Sequence, residues 1–129
     1  MSRIVLDSSA LLACLNGEPG GDAVTDQLVQ AVMSSVNLAE VVGVLVRRGA
    51  SFERAREILD LLEFTVADFD RPLAEQTGAF VKHTTSRGLS IGDRACLALA
   101  SRENLPVLTA DHAWSDIDVG VEVRLIRHT

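Results

Sequence analysis

Two kinds of hydrophobic pattern alternate along the chain. Short apolar runs of strand length occur at Arg3–Leu6, Ala31–Ser34, Phe64–Ala67, Pro106–Thr109 and Val121–Ile126. Between them lie longer segments whose apolar residues recur every three or four positions, the helical period. These predict helices over Ser8–Leu15, from Asp22 to about Val29, from Ser35 to Arg48, and from Ser51 through Leu62. Further helices are predicted from Asp70-Arg71-Pro72 to Arg87 and from Ser90 to about Asn104. Their ends carry chemical reasons. Asp22, Ser51 and Asp70 are helix-capping residues, Pro72 suits a first turn, and Gly49 and Gly88 suit helix stops. Asn16-Gly17-Glu18-Pro19-Gly20-Gly21 is a break. Repeated strand–helix alternation with buried strands implies an α/β fold, a mainly parallel sheet covered on both faces.

The 129 residues form one expected domain, 1–129, without repeats, linkers or low-complexity tracts. A composition of 47% hydrophobic and 23% charged residues is that of a globular chain and argues against disorder. No apolar stretch approaches the roughly 20 residues of a membrane span. Met1-Ser2-Arg3 leads into a strand-like run, not a signal-peptide core, so a cytoplasmic protein with no membrane role is expected. Cys14 and Cys96 have no metal-site or disulfide spacing and read as small core residues. The net charge of −6 disfavours a non-specific nucleic-acid binder. Lys82 is the only lysine, and an arginine-dominated cation set suits phosphate contacts.

Four carboxylates change the picture. Asp7 ends Ile4-Val5-Leu6, Glu40 interrupts Leu38-Ala39-Glu40-Val41-Val42, Asp93 opens Ala95–Ala100, and Asp111 follows Val107-Leu108-Thr109-Ala110. Acids against a core are paired or hold a cation. Asp7 and Asp111 stand at the carboxyl ends of expected strands, where open α/β sheets bind ligands. Each acid also has a local role open to it. Asp7 caps the next helix, Ser90-x-x-Asp93 reads as a capping box, Glu40 shares a helical stripe with Asn37, Gly43 and Arg47, and Asp111 begins a turn. Two carboxylates about 5 Å apart repel by roughly 3 kcal/mol at an effective dielectric near 20. A gathered quartet therefore calls for a divalent ion. All-oxygen ligation suits Mg²⁺, or Mn²⁺, better than zinc.

Val5-Leu6-Asp7-Ser8-Ser9-Ala10-Leu11-Leu12-Ala13, Asn37-Leu38-Ala39-Glu40-Val41, Leu89-Ser90-Ile91-Gly92-Asp93-Arg94-Ala95 and Leu108-Thr109-Ala110-Asp111 resemble, in that order, the motifs of PIN-domain nucleases. With the closing strand they are most similar to VapC-type toxins of type II toxin–antitoxin systems, over nearly the whole chain. The resemblance implies a three-layer α/β/α PIN-like fold and a Mg²⁺-dependent endoribonuclease that hydrolyses RNA with metal-activated water. It further implies a homodimer inhibited by a small VapB-type antitoxin. Asp7, Glu40, Asp93 and Asp111 match the acidic quartet, Thr109 the hydroxyl residue before the last acid, and Asp116 a further acid of some members. In this reading Asp7, Asp93 and Asp111 ligate metal, Glu40 holds a metal-bound water or a second ion, and Thr109 orients a carboxylate.

The remaining candidates carry less. His83, His112 and His128 read as surface residues, His112 alternatively as a substrate contact beside Asp111, Trp114 as a loop anchor or a base-stacking platform, and Arg94 as an ordinary surface residue or a rim residue able to meet phosphate. Val41–Val46, Phe52 and Ile58–Leu62 make an apolar stretch fit for core packing, an antitoxin groove or a dimer contact. A haloacid-dehalogenase phosphatase needs an acid where Ser9 stands. A receiver-like phosphoacceptor domain needs a lysine after a strand, and Lys82 lies within an expected helix. A non-catalytic module that uses the acids only for structure stays open.

Overall fold

A computed structural model of the chain describes residues 3–84 and 88–128. Five strands, β1 (Ile4–Leu6), β2 (Ala31–Ser34), β3 (Thr65–Ala67), β4 (Val107–Thr109) and β5 (Val123–Leu125), form one sheet in the order β3-β2-β1-β4-β5. Every pairing is parallel. The helices are α1 (Ser8–Asn16), α2 (Gly21–Thr25), α3 (Ser35–Arg47), α4 (Phe52–Asp60), α5 (Arg71–Ala79), α6 (Val81–Thr84) and α7 (Ile91–Glu103).

The alternation of strand side chains divides the interior into two cores, as the two-residue period of a strand requires. Ile4, Leu6, Ala31, Met33 and Leu108 join Ala10, Leu11, Val24, Val41 and Leu59 on one face. Val5, Val32 and Val107 join Leu73, Phe80, Trp114 and Leu97–Ala100 on the other. Helices α1–α4 thus cover one side of the sheet and α5 and α7 the other, which makes the three layers. Segment 95–100 of α7 is buried at every position, so this helix lacks the polar face of a surface helix.

Two expected helices are corrected. The segment from Asp22 to Val29 is the short α2, with Asp22 in its first turn, followed by a 3-10 turn at Leu28–Gln30. The N-cap is Gly20, at φ 87°, and a Cβ on Gly21 would meet the Ala13 carbonyl carbon at 2.9 Å. Close packing on α1 therefore starts the helix before Asp22. The helix expected over 71–87 breaks at Phe80 into α5 and α6. The Thr77 and Thr84 hydroxyls donate back to the Leu73 and Phe80 carbonyls, bonds that loosen a helix. The end expected at Arg87 lies outside the described residues.

The sheet order decides where a site can sit. From β1 the chain moves outward to β2 and β3, then returns across to β4 and β5. The crevice between β1 and β4 is therefore a switch point, where α/β sheets open at their carboxyl ends. Asp7 follows β1 and Asp111 lies two residues beyond β4.

Candidate active site

Asp7 is 3% exposed and is the most engaged of the acids. Its Oδ1 accepts from the Ala10 amide at 2.8 Å, capping α1. Ser9 Oγ stands 2.8 Å from Oδ1 and 2.9 Å from Oδ2, and Thr109 Oγ1 donates to Oδ2 at 2.5 Å. Burial pushes the Asp7 carboxyl up to about 6. The bonds from Thr109, Ala10 and Ser9 pull the other way, and the charge of Asp93 raises it further.

Asp93 sits in the first turn of α7. Its Oδ2 accepts from the Ser90 amide at 2.9 Å while Ser90 Oγ accepts from the Asp93 amide at 3.2 Å, a complete capping box. Burial raises its carboxyl above the usual range, and the charges of Asp111 and Glu40 add to the rise. Asp93 therefore feels both of those acids, and Asp7 feels Asp93. The four carboxylates form one electrostatic group with Asp93 at its centre. Behind them Cys96 is buried, its thiol pushed well above the ordinary value by burial and then by Asp7, Asp93 and Glu40.

Asp111 accepts from the Ala113 amide at 2.9 Å and caps the 3-10 turn His112–Trp114. Its own amide donates to Thr109 Oγ1 at 3.0 Å. Glu40 is exposed on α3 and accepts at Oε1 from Ser8 Oγ and, at 2.9 Å, from Asn37 Nδ2. The local roles that stood open for Asp7, Asp93 and Asp111 are all present, and Thr109 Oγ1 links the Asp7 carboxylate to the Asp111 amide. A cap and a cluster are compatible because each cap bond engages one oxygen of a carboxylate that has two.

Four residues of this network were not singled out by sequence. Ser9 ties the two strand ends together, accepting from the Ala110 amide at 2.9 Å beside its contacts with Asp7. Asn37 is 1% exposed, so the stripe it shares with exposed Gly43 and Arg47 is not solvated throughout. Ser8 and Gly92 complete the surroundings of Glu40. Asp-x-Ser directly after a strand was the legible signal for Ser9. The shared helical stripe marks Asn37 as a neighbour of Glu40 but not its burial, and nothing in the sequence marks Gly92 as meeting Glu40.

Of the other candidates, His83, His112, His128 and Asp116 are exposed. Trp114 is fully buried and anchors its loop on the core. Arg94 is half-buried and donates to the Leu89 carbonyl at 2.9 Å. Cys14 and Cys96 are free thiols. Among the described residues no helix is long and apolar enough to cross a membrane.

Among the described residues, no three Asp, Glu, His or Cys side chains already form a metal-holding group. The donor chemistry nevertheless fits a hard cation. Every candidate donor is a carboxylate oxygen, and the raising of Asp7 by Asp93 and of Asp93 by Asp111 and Glu40 is a repulsion that a divalent ion would offset.

The PIN domain family profile matches residues 4–120. No curated protein matches the chain. Several solved structures share its fold. DNA-bound VapBC from Salmonella typhimurium superposes with a TM-score of 0.75 at 18% identity, covering 98% of this chain and 100% of that one. VapC20 of Mycobacterium tuberculosis, a sarcin–ricin-loop-cleaving toxin, gives 0.71 at 19% identity, over 93% and 99% of the two chains. VapBC-5 of Mycobacterium tuberculosis gives 0.62 at 25% identity, over 99% and 100%.

Proposed function

This chain belongs to the PIN domain family, and from that premise we propose that it is a metal-dependent endoribonuclease, the VapC-type toxin of a toxin–antitoxin pair. The observation that carries the reading is the hydrogen-bonded chain from Asp7 through Thr109 to Asp111 at the β1–β4 switch point, with Glu40 joined through Asn37 to Gly92, the neighbour of Asp93. The solved relatives that are VapBC complexes, and one that cleaves the sarcin–ricin loop, support an RNA substrate and an antitoxin partner.

Asp7, Asp93 and Asp111 would hold the ion, Mg²⁺ or Mn²⁺. When bound, it supplies a nucleophilic water and neutralises charge on the phosphate. The protein's own part is positioning. Thr109 and Ser9 fix the Asp7 carboxylate, and Ser90 fixes that of Asp93. Glu40, exposed at the rim, would orient water beside the phosphate. Attack in line with the departing 3′ oxygen leaves a 5′-phosphate and a 3′-hydroxyl. Asp116, exposed beyond Trp114, is proposed as an accessory acid at the substrate side. A homodimer and a VapB-type antitoxin are proposed as assemblies.

The test is cleavage of total cellular RNA by purified chain with Mg²⁺, with EDTA, and with Asp93→Asn, followed by mapping of the new ends. Cleavage is expected with Mg²⁺ alone, at least a hundredfold faster than with EDTA or with the variant. Equal cleavage in all three would refute the reading.

A further inference from the structure

Glu40 differs from the other three acids in how it is held. Asp7 and Asp111 cap the elements that follow them, and Asp93 accepts from the Ser90 amide in the first turn of its own helix, so local backbone fixes all three. Glu40 lies inside α3, exposed, where a glutamate side chain is ordinarily free to sample several rotamers. Beside the Ser8 hydroxyl, which donates to its Oε1, two further features restrict it.

The first is Asn37, one turn earlier on α3 and 1% exposed. Its Nδ2 donates to Glu40 Oε1 at 2.9 Å and to the Gly92 carbonyl at 3.0 Å, and lies 3.4 Å from Ser8 Oγ. A carboxylate and a carbonyl accept only, so the amide nitrogen must face them and this orientation is fixed by its partners. The consequence is that Asn37 Oδ1 is buried with no partner among the described residues. A buried acceptor without a donor is unfavourable, and an apolar side chain would avoid the cost. Packing alone therefore does not account for asparagine here.

The second is Gly92. A Cβ at this position would overlap the Glu40 carboxylate, with Cδ and Oε1 at 2.6 Å. The backbone at Gly92 is in the ordinary helical range, so no left-handed angle demands glycine. What demands it is room for Glu40.

We infer that Asn37 and Gly92 form a two-sided seat for Glu40, Asn37 as a positioning residue that donates to its carboxylate and Gly92 through the space its absent side chain leaves. The seat also ties α3 to the start of α7, so it sets Glu40 relative to Asp93. The inference rests on the nuclease reading and assigns to it a part that the acidic quartet does not contain.

Gly92→Ala is the sharpest probe. Only the flexible end of Glu40 stands in the way, and alanine favours a helix, so the variant should melt at or above the wild-type temperature. Its kcat for RNA cleavage should fall at least tenfold with KM within twofold. Asn37→Ala should do the same, with Asn37→Ser as the second variant if the alanine form does not fold. Neither change should further lower kcat in a Glu40→Gln background, since both act through that carboxylate. A readout independent of activity is the Asn37 side-chain amide pair in metal-free protein. By NMR it should exchange slowly with solvent and shift in Glu40→Gln. Wild-type kcat in both Asn37→Ala and Gly92→Ala, beside an impaired Glu40→Gln, would overturn the seat and leave the nuclease intact. A fully active Glu40→Gln would overturn both the seat and the role given to Glu40.

Discussion

Thr109 Oγ1 donates to Asp7 Oδ2 at 2.5 Å, joining residues 102 positions apart in the chain. The register of β1 on β4, Val5 with Val107 and Leu6 with Leu108, brings the next pair, Asp7 and Thr109, side by side. The same hydroxyl accepts from the Asp111 amide at 3.0 Å, so one oxygen orients two of the acids. Thr109→Val keeps the shape and removes both bonds. It should cost about 1–3 kcal/mol in urea unfolding at pH 7 and lower RNA cleavage at least tenfold. Thr109→Ser, which keeps the hydroxyl, should stay within a factor of about three in the same assay.

Metal-free protein should lose stability as pH rises from 4.5 to 7. Folding raises the Asp7 carboxyl from 3.8 to about 6, so the folded state binds the extra proton. Such a contribution is complete below 3.8 and is gone above about 6. Its ceiling is about 3 kcal/mol, of which about 2 kcal/mol should disappear over this window. Asp93, also raised, adds to the same trend. Denaturant unfolding in EDTA at the two pH values measures it. Asp7→Asn should flatten the dependence, and saturating Mg²⁺ should restore stability at pH 7. A metal-free protein more stable at pH 7 than at 4.5 would contradict the shift.

Two serine caps allow stability to be separated from activity. Ser51 Oγ accepts from the Arg54 amide at 3.0 Å at the start of α4. Ser90 makes the equivalent bond at the start of α7, where its partner is Asp93. Alanine at either position should cost about 1 kcal/mol. Only Ser90→Ala should also reduce cleavage, by about tenfold or more, because the lost hydroxyl accepts from the Asp93 amide and holds the turn that carries this acid, although the Ser90 amide still donates to its carboxylate. Parallel melts and initial rates on the two variants decide this.

The apolar stretch of α3 and α4 is mostly core, with Val41, Ala55 and Leu59 buried. Val46, Phe52 and Leu61 stay exposed at 45%, 56% and 79%. If this face receives an antitoxin, Phe52→Glu combined with Leu61→Glu should weaken capture of the antitoxin by at least tenfold. RNA cleavage by the free protein should be unaltered. Titration calorimetry with the product of the adjacent gene is the measurement, and unchanged affinity would assign the partner to another surface.

Much of this molecule was readable from its residues. Period-two strands and period-3.6 helices are local properties, written into which side chains prefer water. Ala31–Ser34 and the starts of the helices after Ser34, Ser51, Asp70 and Ser90 come directly from that code and from capping chemistry. Where the expectation failed, at Gly20-Gly21 and at Phe80, tertiary contact or threonine back-bonding outweighed the local preference.

The candidate acids, too, were visible singly, because a charge against an apolar run is conspicuous anywhere in a chain. What the sequence by itself determined is the inventory: five strands, most of the helices between them, and four carboxylates set against apolar runs. Tertiary structure alone decided the order β3-β2-β1-β4-β5, the adjacency of Asp7 to Thr109, and the placing of Gly92 against Glu40. Those relations join residues separated by tens of positions. They arise only when strand pairing and two-sided burial fix the chain in space, and no local pattern encodes them.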